Sequence, residues 1–232
     1  MRFLITNDDG IEAPGIQALI DLASELGDVK VVAPLKEHSG CSHATTTRRP
    51  VRVHSQQTNR TAIEGTPVDC VRLGLHHLAP ETDWVLSGIN SGGNLGADIH
   101  VSGTVAAVRE GTLRGIPGIA FSHYKTKEFV IDWELAKRRV FPIIQELLER
   151  SCKPGTFWNV NLPALAVAPV DPKPIYCPVD PNPLPADYQL EGEHFHYRGN
   201  YHGRARNSGS DVDVCFSGNI AVSPVRVHCD CE

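Results

Sequence analysis

Phe3-Leu4-Ile5-Thr6-Asn7-Asp8-Asp9-Gly10 is the stretch that decides how this chain is read. Its first four residues carry no charge, and three are strongly apolar, which suits a short buried strand. Both carboxylates then emerge where a sheet opens into a loop. Side by side they repel by a few kcal/mol at the effective dielectric of a protein surface. A divalent cation is the obvious way to offset that repulsion. A solvated Asp-Asp-Gly turn fits the same tripeptide. Gly10 serves either reading, because a tight turn there asks for φ > 0.

Outward from this strand the chain alternates. Ile16, Leu19, Ile20, Ala23 and Leu26 follow helical spacing, with Pro14 suited to the first turn and Gly27 to the stop. Val29 to Ala33 reads as a second buried strand, giving a βαβ unit and a parallel pair. Val51, Val53, Ala62 and Ile63 outline a short antiparallel excursion. Helices are expected over Pro67 to His76 and Thr104 to Leu113, and strands over Trp84 to Ser87 and Ile116 to Phe121. Asp132 caps a long helix reaching Arg150, which Pro142 should kink or divide. Such alternation to about residue 160 defines an α/β doubly wound core with a mostly parallel sheet.

The organisation then changes. Eight prolines fall between Pro163 and Pro185, too many for a helix or a central strand. An extended arm is expected there, and long loops in compact domains are commonly functional or oligomeric. Strand-like runs return at Val212 to Phe216 and Ile220 to Val227. With no repeat and no clean linker, residues 1–232 read as one domain: a core over 1–160, and an arm with C-terminal strands over 161–232.

At 232 residues the chain can bury a full core, and 41% hydrophobic with 21% charged residues is a globular composition. A net charge of −5 argues against nonspecific binding to duplex nucleic acid or an anionic membrane. No apolar stretch approaches the roughly 20 residues needed to cross a bilayer. The chain opens directly on its first strand, so no signal peptide is expected. Seven scattered cysteines without a C-x-x-C pair fit free thiols in the cytoplasm. Cys229-Asp-Cys231 is either a metal-binding pair or a frayed terminus.

Four loops rich in small oxygen-bearing residues follow expected strands: Asn7 to Gly10, His38-Ser39-Gly40, Ser87 to Gly96 and Ser102-Gly103-Thr104. In a parallel sheet, loops at the carboxyl ends of strands converge on one crevice. Carboxylates, a hydroxyl and an amide carbonyl form an all-oxygen set suited to Mg²⁺ or Mn²⁺ rather than structural zinc. A water bound to such an ion is a ready nucleophile. Ser102-Gly103-Thr104, before an Ala-rich helix, reads as an anion cradle or as an ordinary cap. The small residues of Asn90 to Gly96 let backbone approach a ligand closely. A cation site beside an anion cradle points to phosphate ester chemistry.

NDDGIEAPGI (Asn7 to Ile16), Ser39-Gly40, GTPVDC (Gly65 to Cys70), SGINSGGNLG (Ser87 to Gly96) and SGTVAA (Ser102 to Ala107) resemble the SurE family. WNVNLP (Trp158 to Pro163) and GSDVDV…GNIAVSPV (Gly209 to Val225) extend the resemblance nearly end to end. The family comprises metal-dependent nucleoside monophosphate phosphatases. The resemblance implies a three-layer Rossmann-like core with a C-terminal β-hairpin arm, and one divalent ion per subunit held by Asp8, Asp9, Ser39 and Asn90. It also implies a phosphate pocket of Asn94, Ser102, Gly103 and Thr104, and dimers or tetramers exchanging C-terminal elements. His38, Val101 and Arg109 depart from the family pattern, and residues 164–207 match it only loosely.

The reaction expected is hydrolysis of a nucleoside monophosphate to nucleoside and phosphate. Metal-activated water attacks phosphorus and the Ser102 to Thr104 amides stabilise the charge; direct attack by Asp8 or Asp9 is the other route. Gly40 and His100 are candidate substrate contacts, and His100 is either a proton donor to the leaving alkoxide or a surface loop histidine. His194 and His196, on one side of a strand, touch a substrate base or are simply solvated. Cys41 has no evident base to make it a nucleophile, and Trp84 and Trp158 belong to core packing. A noncatalytic metal and nucleotide sensor of the same fold is the alternative, though no ligand position is lost. A Rossmann oxidoreductase would need glycines where Asp8 and Asp9 stand.

Overall fold

The computed structural model describes residues 1–127, 129–150, 153–164 and 171–227. Cys152 and the Cys229–Cys231 pair lie outside them. Among the described residues nine strands form one sheet: β1 (Arg2–Thr6), β2 (Asp28–Pro34), β3 (Val53–Gln57), β4 (Arg60–Ile63), β5 (Trp84–Asn90), β6 (Gly118–His123), β7 (Thr156–Leu162), β8 (Pro174–Tyr176) and β11 (Ile220–Arg226). Their order is β3-β4-β2-β1-β5-β6-β7-β11-β8. From β4 to β7 every neighbouring pair is parallel, while β3 on β4 and β11 on β7 are antiparallel. The remaining strands, β9 (Tyr188–Glu191) and β10 (His194–Tyr197), make a separate two-stranded hairpin.

Both faces of the sheet are covered, which is why the strands read as continuous apolar runs rather than alternating ones. Phe3 and Ile5 of β1 pack with α1 (Pro14–Ser24) and α4 (Trp133–Glu149). Leu4, between them, packs on the other face with α2 (Pro67–Leu73) and α3 (Gly103–Leu113). The fold is therefore a three-layer, Rossmann-like α/β sandwich. A third cluster, around Leu95, Tyr124, Cys177, Val212 and Cys215, carries α5 (Asp211–Phe216).

Three expectations change. Val212 to Phe216 is not a strand but the helix α5, because Ser210 caps it and Asp211 and Asp213 occupy its first turn. D-V-D-V-C-F satisfies a period of two, but the cap decides. Of the kink or division expected at Pro142, division is ruled out, since α4 runs as one helix from its cap, Asp132. The proline faces solvent while Val140, Ile143, Ile144 and Leu147 bury the opposite side, so packing outweighs the lost bond. Ser102-Gly103-Thr104 follows no strand; a 3₁₀ turn, Gly96–His100, precedes it. Among its described residues the proline-rich segment contributes one strand, β8, at the sheet edge, where proline is tolerated.

Candidate active site

The carboxyl ends of β1, β2 and β5 open into one cavity of about 570 Å³. Asp8, Asp9, Ser39, Gly40, Asn90, Asn94 and Ser102 line it together. Gly10 takes the positive φ, +101°, that its turn demands. Gly103 and Thr104 form the wall behind Asp8 rather than the lining. A Cβ on Gly103 would meet Asp8 Cβ at 2.8 Å and Oδ2 at 2.9 Å. Thr104 Oγ1 donates to Asp8 Oδ1, so α3 directs its positive end at that carboxylate. The exposed His100 is not part of the lining; its carbonyl accepts from Ser42 Oγ at 2.7 Å. His194 and His196 sit on the exposed hairpin, also away from the cavity.

Electrostatics single out the Asp pair. Burial pushes the Asp8 carboxyl up to about 6, Thr104 opposing it and the neighbouring Asp9 adding to it. Asp9 is raised as well, by burial and by Glu37, although Ser91 N–H donates to it at 3.0 Å and Lys125 stands near. Two desolvated acids this close want a cation. The neighbouring groups have oxygens free to offer. Ser39 Oγ gives its proton to Glu37 Oε1 at 2.6 Å, which keeps its lone pairs available. Asn90 Nδ2 donates to the Gly92 carbonyl at 2.9 Å, an engagement that does not use its Oδ1. Among the described residues no three His, Cys, Asp or Glu side chains cluster as a metal site. The donor set is two carboxylates with neutral oxygens, which fits a hard divalent ion and not zinc.

Asn94 is held from four sides. Its N–H donates to Asn161 Oδ1 at 2.8 Å and its Nδ2 to Ser122 Oγ at 2.8 Å. Its carbonyl accepts from Asn159 Nδ2 at 2.8 Å and Asn161 Nδ2 at 3.0 Å. The asparagines of WNVNLP thus brace the Gly-rich loop from β7. Ser102 works as a helix cap, its Oγ accepting from Val105 N–H at 3.1 Å, and its N–H goes to the Asp98 carbonyl at 3.0 Å. Cys41 Sγ lies 2.9 Å from the Cβ position of Gly103, where burial and Asp8 push its thiol up to about 11. A thiol so protonated is no nucleophile. Trp158 is buried in the core, as its strand position implied.

Five lining residues escaped the sequence reading: Glu37, Asp98, Tyr124, Lys125 and Tyr201. Tyr124 and Lys125 directly follow β6, so the carboxyl-end rule was signal enough for them. Tyr201 arrives from far along the chain and had none. A second cavity of about 450 Å³, lined by Trp84, Ile116, Arg150 and Lys153 among others, contains none of the motif residues.

Fold and site together define a doubly wound α/β protein with an acidic, oxygen-rich crevice at the carboxyl edge of its sheet. The chain belongs to the SurE family: residues 3–176 match the family described as Survival protein SurE. A relative from Nostoc sp. (strain PCC 7120) is 48% identical over 98% of this chain and all of its own length. The 5'-nucleotidase SurE of Caulobacter vibrioides (strain NA1000) is 38% identical over 98% of this chain and 90% of its own. The crystal structure of the SurE protein from Aquifex aeolicus superposes with a TM-score of 0.85 at 31% identity, covering 98% of this chain and 94% of that one.

Proposed function

We propose that this chain is a divalent-metal-dependent phosphomonoesterase that hydrolyses nucleoside monophosphates to nucleoside and phosphate. The observation that carries the reading is the desolvated Asp8–Asp9 pair, facing one cavity with Ser39, Asn90, Asn94 and Ser102. Relatives named 5'-nucleotidase SurE, aligned over nearly the whole chain, support the substrate class.

Asp8, Asp9, Ser39 Oγ and Asn90 Oδ1 would hold one divalent ion per subunit, Mg²⁺ or Mn²⁺ by the chemistry of the donors. When bound, such an ion supplies Lewis-acid polarisation of a phosphoryl oxygen and acidifies water. Thr104 keeps Asp8 oriented by its hydroxyl hydrogen bond. Asn94 and Ser102, with the amino end of α3, receive the phosphoryl oxygens, and Gly103 and Thr104 form the cradle's back wall. Water attacks phosphorus as the ester P–O bond breaks, and a proton passes to the departing alkoxide oxygen. Asp8 and Asp9 act as ligands rather than nucleophiles.

The β9–β10 hairpin is proposed as the surface through which copies of the chain assemble, with residues 1–160 forming the catalytic core. Cross-strand partners Tyr188–Tyr197 and Leu190–Phe195 give it one apolar face exposed by half or more. The free thiols of Cys41, Cys70, Cys177 and Cys215 suit a cytoplasmic setting. Among the described residues no helix is long and apolar enough to cross a membrane.

The test is phosphate release from a panel of nucleoside monophosphates with Mg²⁺, Mn²⁺ or EDTA, on the wild type and Asp8→Asn. Release that EDTA and the substitution each reduce by about 10²-fold or more is expected, on the scale of losing one transition-state contact. A folded protein that binds nucleotide yet releases no phosphate with any metal would instead be a sensor.

A further inference from the structure

We infer that Tyr201 is the surface on which the nucleobase stacks, and that it makes this site select nucleotides over phosphate esters lacking an aromatic group. The inference rests on the nucleotidase reading above and adds the residue that discriminates. It comes from the part of the cavity wall that the metal and phosphate groups do not use.

Tyr201 lines the same cavity as the acidic pair, yet it lies beyond residues 3–176, the span matched by the family. Its ring is fixed at both ends. The hydroxyl donates to Asp98 Oδ2 at 2.5 Å, and burial together with that carboxylate keeps it protonated. Behind the ring, the Arg204 guanidinium sits 4.3 Å from the centroid and is itself buried, donating to Asp98 Oδ2 and the Leu95 carbonyl at 3.3 Å each. Arg204 takes no part in the cavity lining, so Tyr201 meets the cavity with a part of its ring that the guanidinium does not cover.

Tyr124, itself buried, backs this part of the wall. Its ring is inclined 28° to that of Tyr201, at 6.4 Å between centroids, and it stacks on Phe216 at 4.8 Å. A rigid aromatic wall beside an oxygen-rich phosphate end matches a ligand with a flat apolar head and an anionic tail. Stacking needs only a π-face, so purines and pyrimidines should both be accepted. Because Asp98 also accepts from the Leu95 N–H and carries the turn that delivers Ser102, base wall and phosphate end share one anchor.

The experiment compares kcat/KM for adenosine monophosphate and for ribose 5-phosphate in the metal-loaded wild type, Tyr201→Leu and Tyr201→Phe. Adenosine binding by equilibrium dialysis adds a readout independent of turnover. The wild type should prefer the nucleotide. Tyr201→Leu should cut that preference roughly tenfold or more and weaken adenosine binding in parallel. Tyr201→Phe, which keeps the ring and loses only the hydroxyl, should retain most of both. Equal loss on the two substrates in Tyr201→Leu, or a Tyr201→Phe variant as impaired as Tyr201→Leu, would overturn the stacking role in favour of support for Asp98. An unchanged preference in Tyr201→Leu would overturn it outright. A wild type that prefers ribose 5-phosphate would instead overturn the nucleotidase reading itself.

Discussion

Gly103 illustrates how little room the acidic pair has. It begins α3 with ordinary helical backbone, so conformational freedom is not what it provides. What it provides is space: a methyl there would press on Asp8 at 2.8–2.9 Å and on Cys41 Sγ at 2.9 Å. Gly103→Ala should lower phosphate release by an order of magnitude or more, because small displacements of a catalytic group are costly. Stability should fall only modestly, by about 1–3 kcal/mol, as in other overpacked sites. Activity assays beside a thermal melt would separate the two effects. Asp8 itself is the converse case. Its desolvated charge costs stability in the metal-free protein, so Asp8→Asn should melt no lower than wild type without metal. Added Mn²⁺ should raise the wild-type melting temperature, since ligand binding stabilises the folded state, and leave the variant where it was.

α3 joins the site to the rest of the fold, and Glu110 in its C-terminal half is the anchor. The Glu110 side chain is 3% exposed and accepts from His43 Nε2 at 2.9 Å, Arg72 Nε at 2.7 Å and Arg114 Nε at 2.8 Å. Burial works against its charge, but these hydrogen bonds prevail and hold it at about 2, below the usual 4.5. A carboxyl lowered on folding stabilises the native state above its unfolded pKa and loses that contribution as pH falls through the folded one. Folding stability should therefore decline by on the order of 2 kcal/mol from this group between about pH 5 and pH 2, a value discounted because Arg72 and Arg114 remain partly exposed. In Glu110→Gln that part of the decline should vanish, and the variant should already be less stable at pH 7. Denaturant titrations across the acid range would read both.

For the molecule as a whole, the β9–β10 hairpin is the piece the monomer leaves without support. A two-stranded hairpin is marginal by itself in water, and this one exposes Leu190 at 58% and Phe195 at 70%. Burying that face between copies would remove the liability. Phe195→Asp should shift the protein to a smaller species in light scattering while its per-chain phosphate release with Mn²⁺ persists. Should the variant keep the wild-type mass, the hairpin is not an assembly surface.

Much of the fold was legible because its signals are local. β1, α1 and β2 announce themselves through apolar period, Pro14 and Gly27, and Asp132 caps α4 as its position implied. At the C-terminus the period of two read Val212 to Phe216 as a strand, and the Ser210 cap made the segment a helix instead. Asp8 and Asp9 could be assigned to a sheet edge from eight residues, since a strand followed by a turn leaves a carboxylate nowhere else to go. Whether Thr104 faces ligand or Asp8, and whether His100 or Tyr201 reaches the cavity, depends on how separate elements pack. The hydrogen bond between Tyr201 and Asp98 spans 103 residues, and that between Gly96 and Asp211 spans 115. Contacts across such distances leave no period, cap or turn in the sequence. They exist only once burial of the two helical layers has brought the carboxyl edge and the C-terminal segment together.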